Sequence, residues 1–158
     1  MTNRAVLGFI ATLILGLGTG VATAGESGTL SGTGGGSGPP ISITLGNGDT
    51  IMILTPTQVI NDETPDGLVF YPGECVGMVI AKADGTYIGG EGYCTWHESE
   101  TDTWDIHFVE TGPEGGTFEI IGGSGKWEGV TAKGGIYTYT YGDGERFRYT
   151  YSIDYTIK

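Results

Sequence analysis

Residues 147–157 alternate strictly between aromatic or aliphatic side chains and polar ones. Successive side chains of a β-strand point to opposite faces, so this pattern predicts a strand with one buried face. That face is predicted to carry Phe147, Tyr149, Tyr151, Ile153, Tyr155 and Ile157. A strand of this length suits the tilted strands of a closed barrel, in which no strand edge is left exposed.

Shorter segments with the same period of two precede it, and Asp-Gly pairs between them are typical of β-hairpins. The predicted strands span residues 41–45, 50–54, 68–71, 76–82, 86–98, 104–110, 117–121, 135–141 and 146–157. No stretch shows a sustained helical period. We therefore predict an all-β fold, an antiparallel closed β-barrel of about eight strands. Residues 55–65 contain Pro56 and Pro65 and are predicted to form an irregular crossing loop.

The amino-terminal residues have the features of a secretory signal peptide. Arg4 precedes an apolar run at residues 5–17, and Ala22-Thr23-Ala24 is a small-residue cleavage pattern. The run is shorter than the about 20 residues that a membrane anchor needs, so we expect cleavage after Ala24. Residues 25–40 are rich in Gly and Ser and are predicted to form a disordered, flexible leader. The β-barrel domain is then residues 41–158 of a secreted or periplasmic protein.

Cys75 and Cys94 are the two cysteines of the chain. Export to an oxidising compartment favours a structural disulfide between them, worth about 3 kcal/mol through the loop that it closes. A metal site would need about four ligands. We therefore expect no metal at the cysteines.

The chain is acidic, with a formal net charge of -12 from 19 acidic and 7 basic residues. Binding to nucleic acid or to an anionic membrane surface requires clustered Lys and Arg. We therefore expect no nucleic-acid partner and, after signal cleavage, no membrane partner.

The strand alternation places a group of aromatic and aliphatic side chains inside the barrel. The residues predicted to line its interior are Trp96, Trp104, Ile106, Phe108, Phe118, Tyr149, Tyr151 and Tyr155. Two interpretations stay open. The interior is either a packed core whose tyrosines reach the rim, or a cavity lined by rings that holds one small molecule.

No motif in the sequence assigns a catalytic residue. Residues 122–129 depart from the phosphate-binding and dinucleotide-binding patterns, so no cofactor is expected. A nucleophile elbow of the Gly-x-Ser-x-Gly type is absent from the sequence. His97 and His107 are predicted to lie together on the outer face, and a solvated pair is favoured there over a metal site. Glu98 shares the parity of Trp96, whereas most other acidic residues are expected on a solvated surface.

Residues 118–139 carry a Gly-Gly-Ser-Gly-Lys-Trp-x-Gly sequence followed by further glycines. This pattern resembles the signature of the allene oxide cyclase-like/dirigent-like β-barrel superfamily, and most closely its small secreted bacterial members of unknown function. Cys75, the segment Gly92-Tyr93-Cys94 and the acidic turn at residues 99–102 extend the resemblance. It implies an eight-stranded antiparallel barrel with a central cavity. It leaves a dimer or trimer open, since plant members self-associate.

Three functions fit the sequence. The first is binding of a small apolar or aromatic molecule in the interior. The second is a cofactor-free cyclase or isomerase, or a dirigent-like protein, that uses the same cavity; plant members of the superfamily cyclise an unsaturated epoxide or steer radical coupling. The third is a structural or interaction module with a filled core. A continuous cavity of roughly 300 Å³ or more would separate the first two functions from the third.

Overall fold

A computed structural model of the chain describes residues 25–64, 67–143 and 145–158. The predicted signal peptide, residues 1–24, lies outside the described residues. Within the described ranges, no helix is long and apolar enough to cross a membrane.

The described residues form ten antiparallel strands and one short 3-10 helix, Gly125–Trp127. The strands are β1 Ser27–Ser37, β2 Ile41–Thr44, β3 Thr50–Leu54, β4 Thr57–Thr64, β5 Gly67–Ala81, β6 Tyr87–His97, β7 Thr103–Gly112, β8 Gly115–Ser124, β9 Val130–Gly142 and β10 Arg146–Ile157. Their order in the sheet is β2-β3-β5-β4-β1-β10-β9-β8-β7-β6, and β5 also pairs with β6. This last pairing closes strands β4–β5–β6–β7–β8–β9–β10–β1 into an eight-stranded barrel. The predicted all-β closed barrel is confirmed.

The long strand β5 explains why two strands lie outside the cylinder. One edge of β5 pairs with β6, and the other edge pairs first with β4 and then with β3. Pro56 lies between β3 and β4. A proline cannot donate a backbone hydrogen bond, so the chain leaves the ladder at this point and resumes as a new strand. The hairpin β2–β3 therefore extends the sheet beyond the barrel.

The prediction of a disordered leader at residues 25–40 is wrong, because most of this segment is strand β1. β1 pairs with β10 along its whole length and with β4 along its second half. The predicted loop at residues 55–65 is wrong for the same reason, since β4 pairs with both β1 and β5. Both predictions rest on the composition of the segment alone, whereas the stability of each segment comes from the strands on either side.

The alternation predicted for the last strand is confirmed. Tyr149, Tyr151 and Ile153 are buried, and the side chains between them are exposed. The predicted disulfide is also confirmed, because Cys75 and Cys94 are bonded and face each other across β5 and β6. A disulfide fits an oxidising compartment.

One end of the barrel is filled by a conventional core. Its buried residues include Leu30, Ile120, Trp127, Val130 and Ile153. The Trp127 ring lies 6.0 Å from the Trp104 ring and 5.3 Å from the Tyr155 ring, and its indole nitrogen donates to Glu98 Oε2 at 3.0 Å. The 3-10 helix that follows Gly122, Gly123 and Ser124 thus places Trp127 at this end of the barrel and closes it.

Candidate aromatic cavity

The other half of the barrel encloses a cavity of about 370 Å³. It opens at the end opposite Trp127, between the β7–β8 turn, the β9–β10 turn and the segment that follows β1. Seven of the eight residues predicted to line the interior do line it: Trp96, Trp104, Ile106, Phe108, Phe118, Tyr149 and Tyr151. Tyr155 does not line the cavity, because it packs against Trp127 at the closed end. A packed core therefore fills one half of the barrel, and a cavity lined by rings occupies the other half.

Glycines on neighbouring strands leave room for these rings. A side chain at Gly34 of β1 would occupy the space of the Tyr149 ring, and one at Gly73 of β5 would occupy the space of the Trp96 ring. Each ring therefore lies over bare backbone of a neighbouring strand. Small residues opposite large ones keep the interior packed without forcing rings into one another.

A buried carboxylate lies among the rings near the open end. Glu110 of β7 is 7% exposed, and both of its oxygens accept hydrogen bonds from tyrosines. Tyr139 donates to Oε1 at 2.5 Å, and Tyr87 donates to Oε2. The Glu110–Tyr87–Tyr139 group, called the carboxylate cluster below, is the main polar feature of the cavity lining.

The carboxylate cluster is absent from the residues predicted on sequence alone. Glu110 could have been found, because it has the same parity as Trp104, Ile106 and Phe108 on one strand. Tyr87 could not be found in this way, because it has the opposite parity to Trp96. The register of β5 with β6 shifts between Ile80 and Ala81, and the extra residue turns Tyr87 inward.

Burial and the negative charge of Glu110 keep the tyrosines protonated. For Tyr87, burial, then the hydrogen bond to Glu110, raises the pKa far above its usual value. For Tyr137 and Tyr139, burial, then the charge of Glu110, raises the pKa in the same direction. These hydroxyls are therefore hydrogen-bond donors at any physiological pH.

The cavity lining contains a second polar group. Tyr149 donates to Gln58 Oε1 at 2.8 Å, and Gln58 Nε2 contacts Cys75 Sγ at 2.9 Å. Burial raises the pKa of Tyr149. Gln58 belongs to β4, which the sequence analysis predicts to be a loop. Without a predicted strand there, alternation could not assign Gln58 to the interior.

Two buried polar atoms of the lining have no hydrogen-bond partner among the described residues. They are the indole nitrogen of Trp104 and the hydroxyl of Tyr137. Both residues face the cavity. Buried polar groups in proteins are nearly always paired, so these two atoms are exceptions, and neither has surface that is open to the cavity.

The structure does not bring His97 and His107 together. His107 faces Tyr93 across β6 and β7, whereas His97 faces Thr103 at the far end of the same pair of strands. His107 lies on the outer face between two glutamates: its Nε2 is 3.6 Å from Glu91 Oε2, and its Nδ1 is 3.7 Å from Glu119 Oε1. The described ranges contain no group of three His, Cys, Asp or Glu side chains able to hold a metal ion.

Glu98, which shares the parity of Trp96 in the sequence, also lies outside the cavity. Its carboxylate is at the closed end, where it accepts from Trp127 and forms an ion pair with Lys126. Glu110 is thus the buried glutamate of the cavity.

Searches against protein-family models, curated proteins and solved structures find no significant match to this chain. The class of protein is therefore defined by the fold and the cavity. The chain is a small, disulfide-bonded, antiparallel β-barrel with an aromatic cavity that opens at one end of the cylinder.

Proposed function

We propose that this barrel binds one small, largely apolar or aromatic molecule in its cavity. The observation that carries the proposal is the cavity itself, about 370 Å³ of space lined by aromatic rings with a few fixed polar groups. Pockets for small molecules in proteins have this size and this mixture of surfaces. The volume also weighs against a structural module with a filled core.

The disulfide and the amino-terminal sequence support a place of action outside the cytoplasm. We propose that the protein is exported, processed after Ala24, and active as a secreted or periplasmic protein. The likeness to small secreted members of the allene oxide cyclase-like/dirigent-like superfamily is part of the same proposal.

The size of the cavity sets the expected affinity. A ligand that buries roughly 200 Å² of apolar surface gains about 5 kcal/mol, which corresponds to a Kd on the order of 10⁻⁴ M. Hydrogen bonds to the carboxylate cluster would tighten binding further. Titrations should therefore extend from micromolar to millimolar ligand.

Tryptophan fluorescence tests this proposal, because Trp96 and Trp104 line the cavity. We expect saturable quenching or a wavelength shift with a subset of small apolar and aromatic compounds. Ile106→Phe should weaken that response, since the added ring fills the cavity. Val109→Phe is the matched control, because Val109 lies on the outer face of the same strand. A flat response across the panel would favour the structural module.

The carboxylate cluster favours a second candidate, a cofactor-free cyclase or isomerase or a dirigent-like protein. A carboxylate can accept a proton, and protonated tyrosines can donate hydrogen bonds to a developing oxyanion. The walls would hold a flexible substrate in a reactive conformation. With an unsaturated epoxide as substrate, chiral chromatography should show an excess of one enantiomer, and Glu110→Gln should abolish it. A racemic product with the unaltered protein would remove this candidate for that substrate class.

A further inference from the structure

We propose that the occupant of the cavity carries a protonated amine, which Glu110 holds in the carboxylate cluster. This inference rests on the proposed function and names the chemical class of its ligand: a small aromatic or branched apolar body with one primary or secondary ammonium group. The carboxylate, its remaining acceptor sites and the surrounding rings support the inference in turn.

The first observation is a buried carboxylate without a cationic partner. Each oxygen of Glu110 accepts a hydrogen bond from a neutral tyrosine hydroxyl. In the described part of the chain, no Lys, Arg or His forms an ion pair with it. A buried charge that has only neutral partners is poorly compensated, and a cationic ligand supplies what is missing.

The basic side chain of the described lining is already engaged. Arg146, at the open end, donates to Asp143 Oδ2 from Nε at 2.9 Å and from Nη2 at 2.6 Å. Glu145 lies beside it at the same opening. Among the described residues of the lining, no unpaired Lys or Arg therefore competes with a positively charged ligand.

The second observation is the capacity of Glu110 for further hydrogen bonds. A carboxylate has about four acceptor sites, and the two tyrosines use two of them. An ammonium group has N–H donors for the remaining sites, whereas a hydrocarbon has none. A quaternary ammonium also lacks them, which is why the class proposed is a primary or secondary amine.

Aromatic rings surround the carboxylate cluster and would also favour a cation. The Tyr137 ring lies 5.6 Å from the ring of Tyr139 and 6.4 Å from that of Phe108, and Phe147 lies 6.0 Å from Tyr139. Cations are attracted to the faces of such rings, more strongly where water is excluded. The net charge of -12 draws cationic ligands toward the protein from a distance.

The test compares three probes of similar shape by fluorescence titration at neutral pH: 2-phenylethylamine, propylbenzene and 3-phenylpropionate. For the unaltered protein we expect the amine to bind about tenfold or more tightly than propylbenzene, because one charged hydrogen bond is worth at least that ratio. The carboxylate probe should bind more weakly than either. Equal binding of amine and hydrocarbon, or a preference for the anion, would overturn the inference.

Two variants locate the effect. Glu110→Gln should bring the ratio of amine affinity to propylbenzene affinity close to one, since the amide carries no charge and replaces one acceptor oxygen by an N–H donor. Glu119→Gln is the matched control, because it makes the same change of net charge on the outer face, and it should keep the preference. An unchanged preference in Glu110→Gln would overturn the inference.

Further outcomes keep the inference separate from the proposed function. If propylbenzene binds and the amine gains nothing, binding stands and only this inference fails. If none of the three probes binds, both fail for this ligand class. If circular dichroism shows that Glu110→Gln is unfolded, Glu110→Asp replaces it. That variant draws the carboxylate back by one methylene group, so the ratio of amine affinity to propylbenzene affinity should fall several-fold, and an unchanged ratio would contradict the inference.

Discussion

The polar groups of the cavity lining differ in how they are satisfied. Glu110 accepts from two tyrosines, whereas the indole nitrogen of Trp104 and the hydroxyl of Tyr137 lack partners among the described residues. A buried polar atom without a partner lowers stability.

Tyr137→Phe should therefore raise the free energy of unfolding of the ligand-free protein by about 1 kcal/mol, because it removes an unsatisfied hydroxyl and keeps the ring. The measurement is urea denaturation followed by circular dichroism. Tyr149→Phe is the matched control. It should lower stability by about 1 to 3 kcal/mol, since the hydroxyl that it removes donates to buried Gln58. A loss of stability in Tyr137→Phe equal to that of the control would show that its hydroxyl is partnered.

At the residue scale, the sequence predicts the wall of the cavity better than its polar groups. Alternation alone identifies Trp104, Ile106 and Phe108, because an unbroken strand keeps one parity. The same parity includes Glu110, although a carboxylate is ordinarily expected on the surface. Tyr87 depends on a bulge between β5 and β6, and such an irregularity leaves no periodic signal in the sequence.

At the scale of the element, β1 shows how a glycine-rich segment becomes an ordered strand. Judged alone, residues 25–40 lack the apolar surface to offset the entropy of ordering. In the barrel, β1 pairs with β10 and β4, and rings of β10 cover its glycines. The information that orders β1 therefore lies more than a hundred residues further along the chain, in Tyr149 and its neighbours. Composition over a local window cannot reveal it.

Gly34→Ala tests this account of β1. The new methyl group would occupy the space of the Tyr149 ring, so we expect the free energy of unfolding to fall by about 1 to 3 kcal/mol. Gly46→Ala is the control, because no atom lies within 4 Å of its added Cβ, and it should change stability by less than about 0.5 kcal/mol. Both are measured by urea denaturation. Equal and small effects would mean that β1 is not packed against β10.

At the scale of the whole molecule, the barrel combines a filled half with a hollow half, and tyrosines are buried in both. Burial, then the charges of Glu98 and Asp62, raises the pKa of Tyr71 to about 12 near the closed end. Burial raises the pKa values of Tyr87, Tyr137, Tyr139 and Tyr149 as well. The folded state thus holds several phenols protonated at a pH where the unfolded chain would release their protons.

This arrangement predicts alkaline destabilisation. A pKa raised in the folded state gives a stabilisation that is complete below the unfolded value of about 10 and is lost as the pH rises toward the folded value. The free energy of unfolding should therefore be flat up to about pH 9 and fall steadily above about pH 10. Urea denaturation between about pH 8 and about pH 11.5 measures it, and ultraviolet absorbance should report phenolate only as the protein unfolds.

Tyr71→Phe provides the comparison for this prediction. It removes one of the shifted phenols, so the fall of stability above about pH 10 should be shallower than in the unaltered protein. Phenolate absorbance that rises near about pH 10 while the protein stays folded would contradict the expected burial of the tyrosine hydroxyls.

The indole of Trp127 closes one end of the barrel, and this has a kinetic consequence for ligand exchange. A ligand can enter and leave only through the open end, so a competing ligand cannot bind until the first one has dissociated. Exchange then depends on spontaneous departure, and its rate should not change with the concentration of the competitor. A ligand longer than the cavity would leave one end in solvent beside Glu145 and Arg146. A dye or a resin could be attached to that exposed end without entering the cavity.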